Sequence, residues 1–294
     1  MSAAAPEYSF RPGGRLRRRR IVNKIMEGVG TAAALLAVAA LGIVIVSVAI
    51  RAAPALSLDF LTKAPNLFGG AGGGISSAIV GSALIVGIAT GVALPVGVLI
   101  AIYLTEFAPP SVAGGIQLIL DILNGLPTIV TGIFVYGLLV IGHTQSAYAG
   151  AFALAVVMLP LVARNAQEVL LLVPSALREA GLALGVSRWR TVLGVILPTT
   201  FGGILTGAVL GVARAAGETA PLLFTTSIFN PAVSTDVSHA LPNIPVLIFT
   251  YSEQPDKALH EQAWGAALVL MVFVLVASLG AKALLARSRR KLAQ

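Results

Sequence analysis

The chain has 294 residues, of which 57% are hydrophobic and only 11% are charged, and its formal net charge is +8. Soluble domains carry about a quarter charged residues, so this composition excludes an ordinary soluble protein. Several apolar stretches exceed the roughly 20 residues that cross a bilayer core, which predicts an all-α polytopic membrane protein. Cysteine is absent, so disulfides, thiolate metal sites and a cysteine nucleophile are excluded.

In chain order, the pattern predicts six membrane-spanning helices. They are expected at about 28–50, 76–102, 119–141, 147–163, 192 into the 210s or 220s, and 263–285. The connections are a loop at 51–75, a short segment around 106–117, a polar stretch at 164–191 and a loop at about 230–260. Two short apolar pieces, 222–229 and 244–250, leave open a seventh span or a re-entrant segment.

This reading divides the chain into four parts. A basic tail of residues 1–24 precedes a first transmembrane helix with its external loop, residues 25–75. A core of five transmembrane helices occupies residues 76–286, and a second basic tail follows at 287–294.

The distribution of Lys and Arg predicts the orientation of the chain in the membrane. If both termini are cytoplasmic, the inside segments hold 16 of these residues, whereas the outside loops hold only Arg51, Lys63 and Lys257. Cytoplasmic loops are enriched in positive charge, and basic residues beside spans bind anionic lipid. The pattern therefore predicts cytoplasmic termini and a cytoplasmic 164–191 segment, and it argues against nucleic-acid binding.

Residues for catalysis are missing from the sequence. A nucleotide-binding P-loop ends in Gly-Lys followed by Ser or Thr, and none of the five lysines is followed by either. There is no Ser/His/Asp set and no pair of carboxylates within a span, and the three histidines lie in predicted loops or near helix ends. We expect no catalytic residue, no metal site and no cofactor in this chain. If ATP drives it, ATP and Mg²⁺ bind a separate ATPase subunit.

The cytoplasmic segment at about 175–190 is the candidate contact for such a subunit. Pro174 and Ser175 give a start signal, with Ser175 as the expected N-cap of a short helix. Residues 178–184 read as an amphipathic helix, and Gly185 is expected to end it and reverse the chain. The alternative is a plain amphipathic helix lying on the membrane.

A second candidate site surrounds Arg214 in the fifth predicted span. Counted from Pro198, Arg214 lies about 24 Å along the helix, inside an apolar core about 30 Å thick. A charge inside the membrane by default marks a pathway or a buried pair. Glu218 follows four residues later, on the same helical face if the helix persists. Gly217 and Pro221 predict a break in the helix.

Two interpretations of Arg214 stay open. In one, Glu218 only neutralises the arginine, and the pair locks the helix. In the other, Arg214 faces a water-filled cavity and attracts an anion, with Glu218 limiting how tightly the anion binds, because the planar guanidinium suits oxyanions. Elsewhere, Asp121 and Asn124 are expected to satisfy backbone groups at a span end near Pro127.

The segment Glu179-Ala180-Gly181, with Gly185 and Leu197-Pro198, resembles the EAA loop of bacterial ABC-importer permeases. Gly181 stands in place of the second Ala, and Val195 stands where Ile is usual. The resemblance implies that this segment couples to an ATPase. The coupling residues it implies are Arg178, Glu179, Ala180, Gly185, Leu197 and Pro198.

The run from Ala213-Arg214 through Gly217-Glu218-Thr219-Ala220-Pro221-Leu222 is similar to the signature of PstA-type phosphate permeases. Residues 125–132 and 175–189 are similar to the same family. This resemblance implies a type I ABC importer permease fold with six transmembrane helices in the bacterial plasma (inner) membrane. It also implies a heterodimer with a PstC-type permease, a PstB-type ATPase dimer and an external PstS-type phosphate-binding protein.

The function implied is inward transport of inorganic phosphate, with Arg214 and Glu218 on the substrate pathway. The alternatives are a permease for another oxyanion, such as sulfate, molybdate or phosphonate, and an anion transporter that works without ATP. The residues by themselves indicate only an anion.

Overall fold

The computed structural model describes residues 14–66, 72–227 and 232–292, and all regular secondary structure within these ranges is helical. The twelve α-helices are α1 (Gly14–Ala52), α2 (Leu58–Thr62), α3 (Ser76–Ile102), α4 (Pro110–Gly125), α5 (Thr128–Val135), α6 (Ala147–Leu171), α7 (Ser175–Ala183), α8 (Arg188–Thr191), α9 (Leu197–Ala215), α10 (Ala220–Thr225), α11 (Ile244–Ser252) and α12 (Lys257–Leu292). The chain also contains three π-turns. Tyr103–Phe107 extends α3, Tyr136–Val140 extends α5, and Val192–Ile196 joins α8 to α9.

The chain forms two units, residues 1–50 and residues 51–294. The first holds most of α1, a 39-residue helix whose apolar side chains are exposed along its membrane-length stretch. Residues 14–24 of the predicted tail belong to this helix, and residues 1–13 lie outside the described ranges. The second unit contains all the other helices.

Five continuous helical segments are long and apolar enough to cross a membrane: Leu16–Ala52, Ser76–Phe107, Ala147–Leu171, Arg188–Ala215 and Lys257–Ala283. The predicted span at 119–141 is instead two helical pieces, Pro110–Gly125 and Thr128–Val140, that meet at an angle of 98°. Pro127 explains the bend, because proline disfavours helical geometry in the residue before it, and Leu126 is extended with ψ 134°. With this bent pair counted as one span, the total is six, as predicted.

The ends of the helices differ from the sequence prediction at two further places. The connector predicted around 106–117 is largely helical, because α4 starts at Pro110, where a proline suits the first turn. The fourth span does not stop at 163, since α6 continues to Leu171. Polar residues mark where lipid contact ends, but they do not end a helix.

Helices α3 and α6 pack together at the centre of the second unit through small side chains. Their contact includes buried alanines such as Ala89, Ala93 and Ala151. A Cβ on Gly97 would lie 2.9 Å from Cγ1 of Val162, so only glycine lets the two backbones approach this closely. Small residues at helix contacts are typical of membrane proteins, where close packing replaces the hydrophobic effect.

The apolar pieces that left open a seventh span form short helices. Helix α10 has six residues and α11 has nine, so neither is long enough to cross a membrane alone. Residues 228–231, which include the end of the first piece, lie outside the described ranges.

A buried polar network ties α10 to α11. The Thr226 hydroxyl donates to the carbonyl of Leu241 at 2.9 Å and accepts from its amide at 3.0 Å. Asn243 donates to the carbonyl of Thr226 and caps α11 by accepting from the amide of Val246. Thr226 and Asn243 are fully buried, so these bonds are needed to satisfy groups that water does not reach. The network fixes the end of α10 within the fold.

Candidate functional site

The predicted helix at 175–190 is present as α7, followed by the short α8. Its start differs from the prediction, because Pro174 is the N-cap and Ser175, the first helical residue, makes no capping hydrogen bond with its side chain. Pro174 is extended, with ψ 139°, which places the turn into the helix one residue earlier than expected.

The predicted stop at Gly185 is confirmed. Gly185 has a φ of +73°, in the left-handed region that favours glycine. Its amide donates to the carbonyl of Leu182 at 2.9 Å, and the amide of Val186 donates to the carbonyl of Gly181 at 3.0 Å. These two bonds form a Schellman motif, which satisfies the last carbonyls of α7 and reverses the chain.

The structure explains why glycine stands at position 181. A Cβ there would lie 2.6 Å from Oγ1 and 2.8 Å from Cγ2 of Thr191, a buried side chain at the end of α8. Gly181 therefore lets α7 pack directly on α8. Glu179 and Ala180 of α7 are exposed.

Arg178 faces the interior of the protein. Its Nε and Nη2 donate to the carboxylate of Glu106 at 2.8–3.1 Å. Its Nη1 donates to the carbonyl of Val173, just after α6, and its Nη2 also donates to the carbonyl of Leu170, in the last turn of α6. The Glu106 side chain is 4% exposed and that of Arg178 25%, so this is a buried ion pair. Sequence reasoning missed Glu106; the only signal was an acidic residue at the end of an apolar span.

Leu197 and Pro198 lie apart from α7 along the chain, at the start of α9. Leu197 packs on the apolar cluster of Leu170, Val173 and Ile196. Pro198 is exposed and follows the π-turn Val192–Ile196 within one helical run. A proline inside a helix removes a hydrogen bond and crowds the preceding turn, and here a wider turn stands directly before it.

Arg214 lies in the last turn of α9, where its side chain is 59% exposed. Its Nε is 3.8 Å from Oε1 of Glu218, whose side chain is 17% exposed. This separation is too long for a hydrogen bond, so the pair is loose. The carboxylate neutralises part of the charge and leaves the guanidinium donors accessible.

The predicted helix break is confirmed, and it changes how Glu218 meets Arg214. Helix α9 ends at Ala215, and the amides of Gly217 and Glu218 close two tight turns onto the carbonyls of Arg214 and Ala215 at 3.0 and 3.1 Å. Glu218 therefore lies on the turn between α9 and α10. The four-residue spacing alone would have placed it beside Arg214 on one face of a continuous helix.

Two glycines hold α10 close to its neighbours. A Cβ on Gly132 of α5 would lie 2.8 Å from Cα of Pro221, and one on Gly150 of α6 would lie 2.7 Å from Cγ2 of Thr226. Because α10 starts two residues after Glu218, this packing also fixes the position of the break that carries the Arg214 site.

The prediction for Asp121 was wrong. Its carboxylate pairs with the guanidinium of Arg164 on α6 and not with backbone groups near Pro127. Helix α4 continues past Asp121 to Gly125, so the aspartate is inside a helix and faces a neighbouring helix. Asn124, also expected to cap a span end, is exposed in the last turn of α4.

Comparison with known proteins shows the family to which the chain is related. Residues 93–292 match the family described as binding-protein-dependent transport system inner membrane component. The phosphate transport system permease protein PstA of Haemophilus influenzae is 40% identical over 263 residues, which cover 87% of this chain and 91% of that protein. PstA of Xylella fastidiosa is 37% identical over 278 residues, 93% of this chain and 96% of that protein.

Solved structures show the same fold at low sequence identity. An inward-facing MetNI methionine ABC transporter aligns with a TM-score of 0.57 and 18% identity, covering 73% of this chain and 95% of that one. An amino acid ABC transporter with histidines aligns with a TM-score of 0.53 and 20% identity, covering 74% and 92%. The all-helical architecture is thus that of type I ABC importer permeases. The chain belongs to the binding-protein-dependent transport permeases, and within them to the PstA type, as a transport subunit and not an enzyme.

Proposed function

We propose that this chain is the permease subunit of an ATP-driven importer that carries inorganic phosphate into the cell. Its relatives are phosphate transport system permeases along nearly their whole length. The sequence has no P-loop, so a separate PstB-type ATPase dimer would hydrolyse ATP. A PstC-type permease would complete the pore, and an external PstS-type protein would deliver phosphate.

The exposed guanidinium of Arg214 is the observation that carries this proposal. It sits at a helix break, and among the described residues its guanidinium makes no hydrogen bond, since Oε1 of Glu218 is 3.8 Å from its Nε. The planar fork of N–H donors matches the oxygens of phosphate. The nearby Glu218 carboxylate weakens the net attraction of the site for phosphate, so the site favours brief contact over tight binding. Such a balance suits a pathway that must release its anion.

Variants of the pair distinguish a pathway role from a structural lock. In the reconstituted complex, Arg214→Gln should abolish or greatly reduce phosphate uptake while assembly and ATP hydrolysis persist. If Arg214 only pairs with Glu218, removing one member leaves an uncompensated charge, and the double variant Arg214→Gln/Glu218→Gln should recover folding and transport. We expect a stable double variant that does not transport. Recovered transport would refute the pathway role.

The substrate is tested by competition in the same assay. Uptake of labelled phosphate into proteoliposomes should be suppressed by unlabelled phosphate and unaffected by equal sulfate or molybdate. Strong competition by sulfate would transfer the proposal to another oxyanion. Uptake without ATP or without the ATPase would favour an ATP-independent transporter.

The exposed side of α7 is the proposed contact with the ATPase. Glu179 and Ala180 are exposed there, and Gly185 fixes where the helix ends. Glu179→Arg or Gly185→Trp should leave the amount of protein in the membrane near normal and uncouple ATP hydrolysis from uptake. Normal uptake and normal ATPase association in both variants would contradict this assignment.

We also propose that the chain lies in the bacterial plasma membrane with both termini in the cytoplasm. This orientation rests on the Lys and Arg distribution and on six spans with the bent pair counted as one. The sequence has no cysteine, so single cysteines can be introduced without background. Cysteines at Ser175 and Ser288 should be shielded from an impermeant thiol reagent added outside, and those at Ser57 and Ser238 should react. Labelling of the Ser175 position from outside would overturn the topology.

A further inference from the structure

We propose that the buried Glu106–Arg178 pair is a positioning link that makes the junction of α3 and α4 move with α7. The inference rests on the proposed function, in which a partner ATPase displaces α7. Arg178 and Glu106 are 72 residues apart in sequence. Their contact joins α7, the proposed cytoplasmic helix, to α3 and α4, two membrane helices that are not next to α7 in the chain.

Arg178 joins three structural elements through one guanidinium. Arg178 belongs to the first turn of α7. It donates to the carbonyls of Leu170, in the last turn of α6, and Val173, just after α6, at 3.0 and 2.7 Å, and it donates to Glu106 through two nitrogens. Each of its three nitrogens is used. The guanidinium is rigid and planar, so such a multiply bonded contact fixes orientation as well as distance.

Glu106 lies where α3 ends and α4 begins. It belongs to the π-turn Tyr103–Phe107, after which Ala108 and Pro109 are extended and α4 starts at Pro110. Its carboxylate is buried, and separating a buried carboxylate from its paired cation is strongly unfavourable. A movement of Arg178 therefore carries Glu106 with it, and with Glu106 the ends of both membrane helices.

Without this pair, α7 would be connected to α6 through the chain at Leu172–Pro174 and to α8 through the packing of Gly181 on Thr191. With the pair, α4 also follows, and beyond its bend α5 contacts α10 where Gly132 meets Pro221. That contact lies three residues from Glu218. The Glu106–Arg178 pair thus gives a displacement of α7 a second route to the Arg214 site, through α4, α5 and α10.

The link is tested by the amount of phosphate taken up per ATP hydrolysed in proteoliposomes that contain the full complex. This ratio does not depend on how much complex is folded, because a loss of folded complex lowers both rates together. Glu106→Gln keeps the shape of the side chain and removes its charge. We expect it to lower the ratio about fivefold or more, with Glu106→Asp closer to the unmodified complex.

Two further variants separate coupling from stability. In Glu106→Gln/Arg178→Met no buried charge is left unpaired, so the complex should assemble and still show the lowered ratio. The control Asp59→Asn breaks an exposed pair between Asp59 on α2 and Lys63, which directly follows α2, and should leave the ratio unchanged. An unchanged ratio in Glu106→Gln and in the double variant refutes the link, and so does failure of every Glu106 variant to assemble.

Different results refute the proposed function and the link. An unmodified complex that hydrolyses ATP but takes up no phosphate would refute phosphate transport. The link would then be tested by the stimulation of ATP hydrolysis by the external binding protein, compared between the unmodified complex and Glu106→Gln. Equal stimulation in both would refute the link whichever anion is carried.

Discussion

Replacing Gly81 with alanine should destabilise the protein strongly, although alanine is the better helix former. Gly81 lies in α3 against the chain that leads into α11. A Cβ at this position would lie 1.9 Å from the carbonyl oxygen of Pro242, whereas real Cβ contacts are essentially never below 3.0 Å. The Pro242 carbonyl would have to withdraw by more than about 1 Å, far beyond what a packed interior absorbs.

The neighbouring hydrogen bonds oppose such a withdrawal. The amide of Leu241 donates to Thr226 at 3.0 Å, and the amide of Ile244 donates to Ser82 at 2.8 Å. Overpacking costs about 1–3 kcal/mol, and a buried amide left without its partner costs about 1–3 kcal/mol more. The gain in helix propensity returns about 1 kcal/mol. We expect a net destabilisation of about 3 kcal/mol.

Thermal unfolding of the purified protein in mild detergent measures this effect. Gly87→Ala is the matched control, because it makes the same change in the same helix, where a Cβ meets nothing within 4 Å. The control should be as stable as the unmodified protein or more stable by up to about 1 kcal/mol. If Gly81→Ala unfolds at the same temperature as Gly87→Ala, the steric argument is wrong.

The remaining predictions concern three other positions. Gly185→Ala should destabilise the end of α7 by about 1–2 kcal/mol, because φ at this position is +73°, and Gly185→Asn should destabilise it less. Hydrogen exchange of the α7 amides should be faster in the alanine variant only. Thr226→Val should lower stability by about 2 kcal/mol in thermal unfolding, since it removes two buried hydrogen bonds to Leu241. The control Thr90→Val should be nearly neutral, because the Thr90 hydroxyl donates to the carbonyl of Val86 within its own helix. Hydrogen bonds from the Ser238 hydroxyl, from His239 and from the Ser238 amide lower the pKa of Asp236, so order in this loop is present at neutral pH and lost as the pH falls through that lowered pKa. Hydrogen-exchange protection at residues 236–239, measured relative to the intrinsic exchange rate at each pH, should therefore fall with the pH in the unmodified protein and stay constant in Asp236→Asn.

The sequence predicted the parts of the structure that depend on local pattern. Long apolar stretches gave the spans, because the thickness of the bilayer sets how many apolar residues a helix needs. Gly185 predicted the end of α7, and Gly217 with Pro221 predicted the break after α9. Glycine frees the backbone and proline restricts it, so both act directly on local structure. The 98° bend at Pro127 was missed because apolar composition continues on both sides of it.

Contacts between distant segments were not predictable from one sequence. The sequence placed Glu106 in a short connecting segment and Arg178 among the residues expected to couple to the ATPase, and only the packing of the chain shows that the two side chains pair. Asp121 was likewise assigned to backbone groups because its partner on α6 is 43 residues away. The roles of Arg178, Glu179, Ala180, Gly185, Leu197, Pro198, Arg214 and Glu218 remain predictions.

The π-turns also determine where the chain can change in length. In each one an amide bonds the carbonyl five residues earlier, as with Ala108 and Tyr103, so the turn holds one residue more than an α-turn. Deleting a residue from a regular stretch of α9 would rotate everything after it by about 100° and turn Arg214 away from its present direction. Deleting one from Val192–Ile196 would instead restore ordinary helical bonding and leave that direction nearly unchanged. Length differences of one residue between related chains can therefore be absorbed at these turns without moving the arginine.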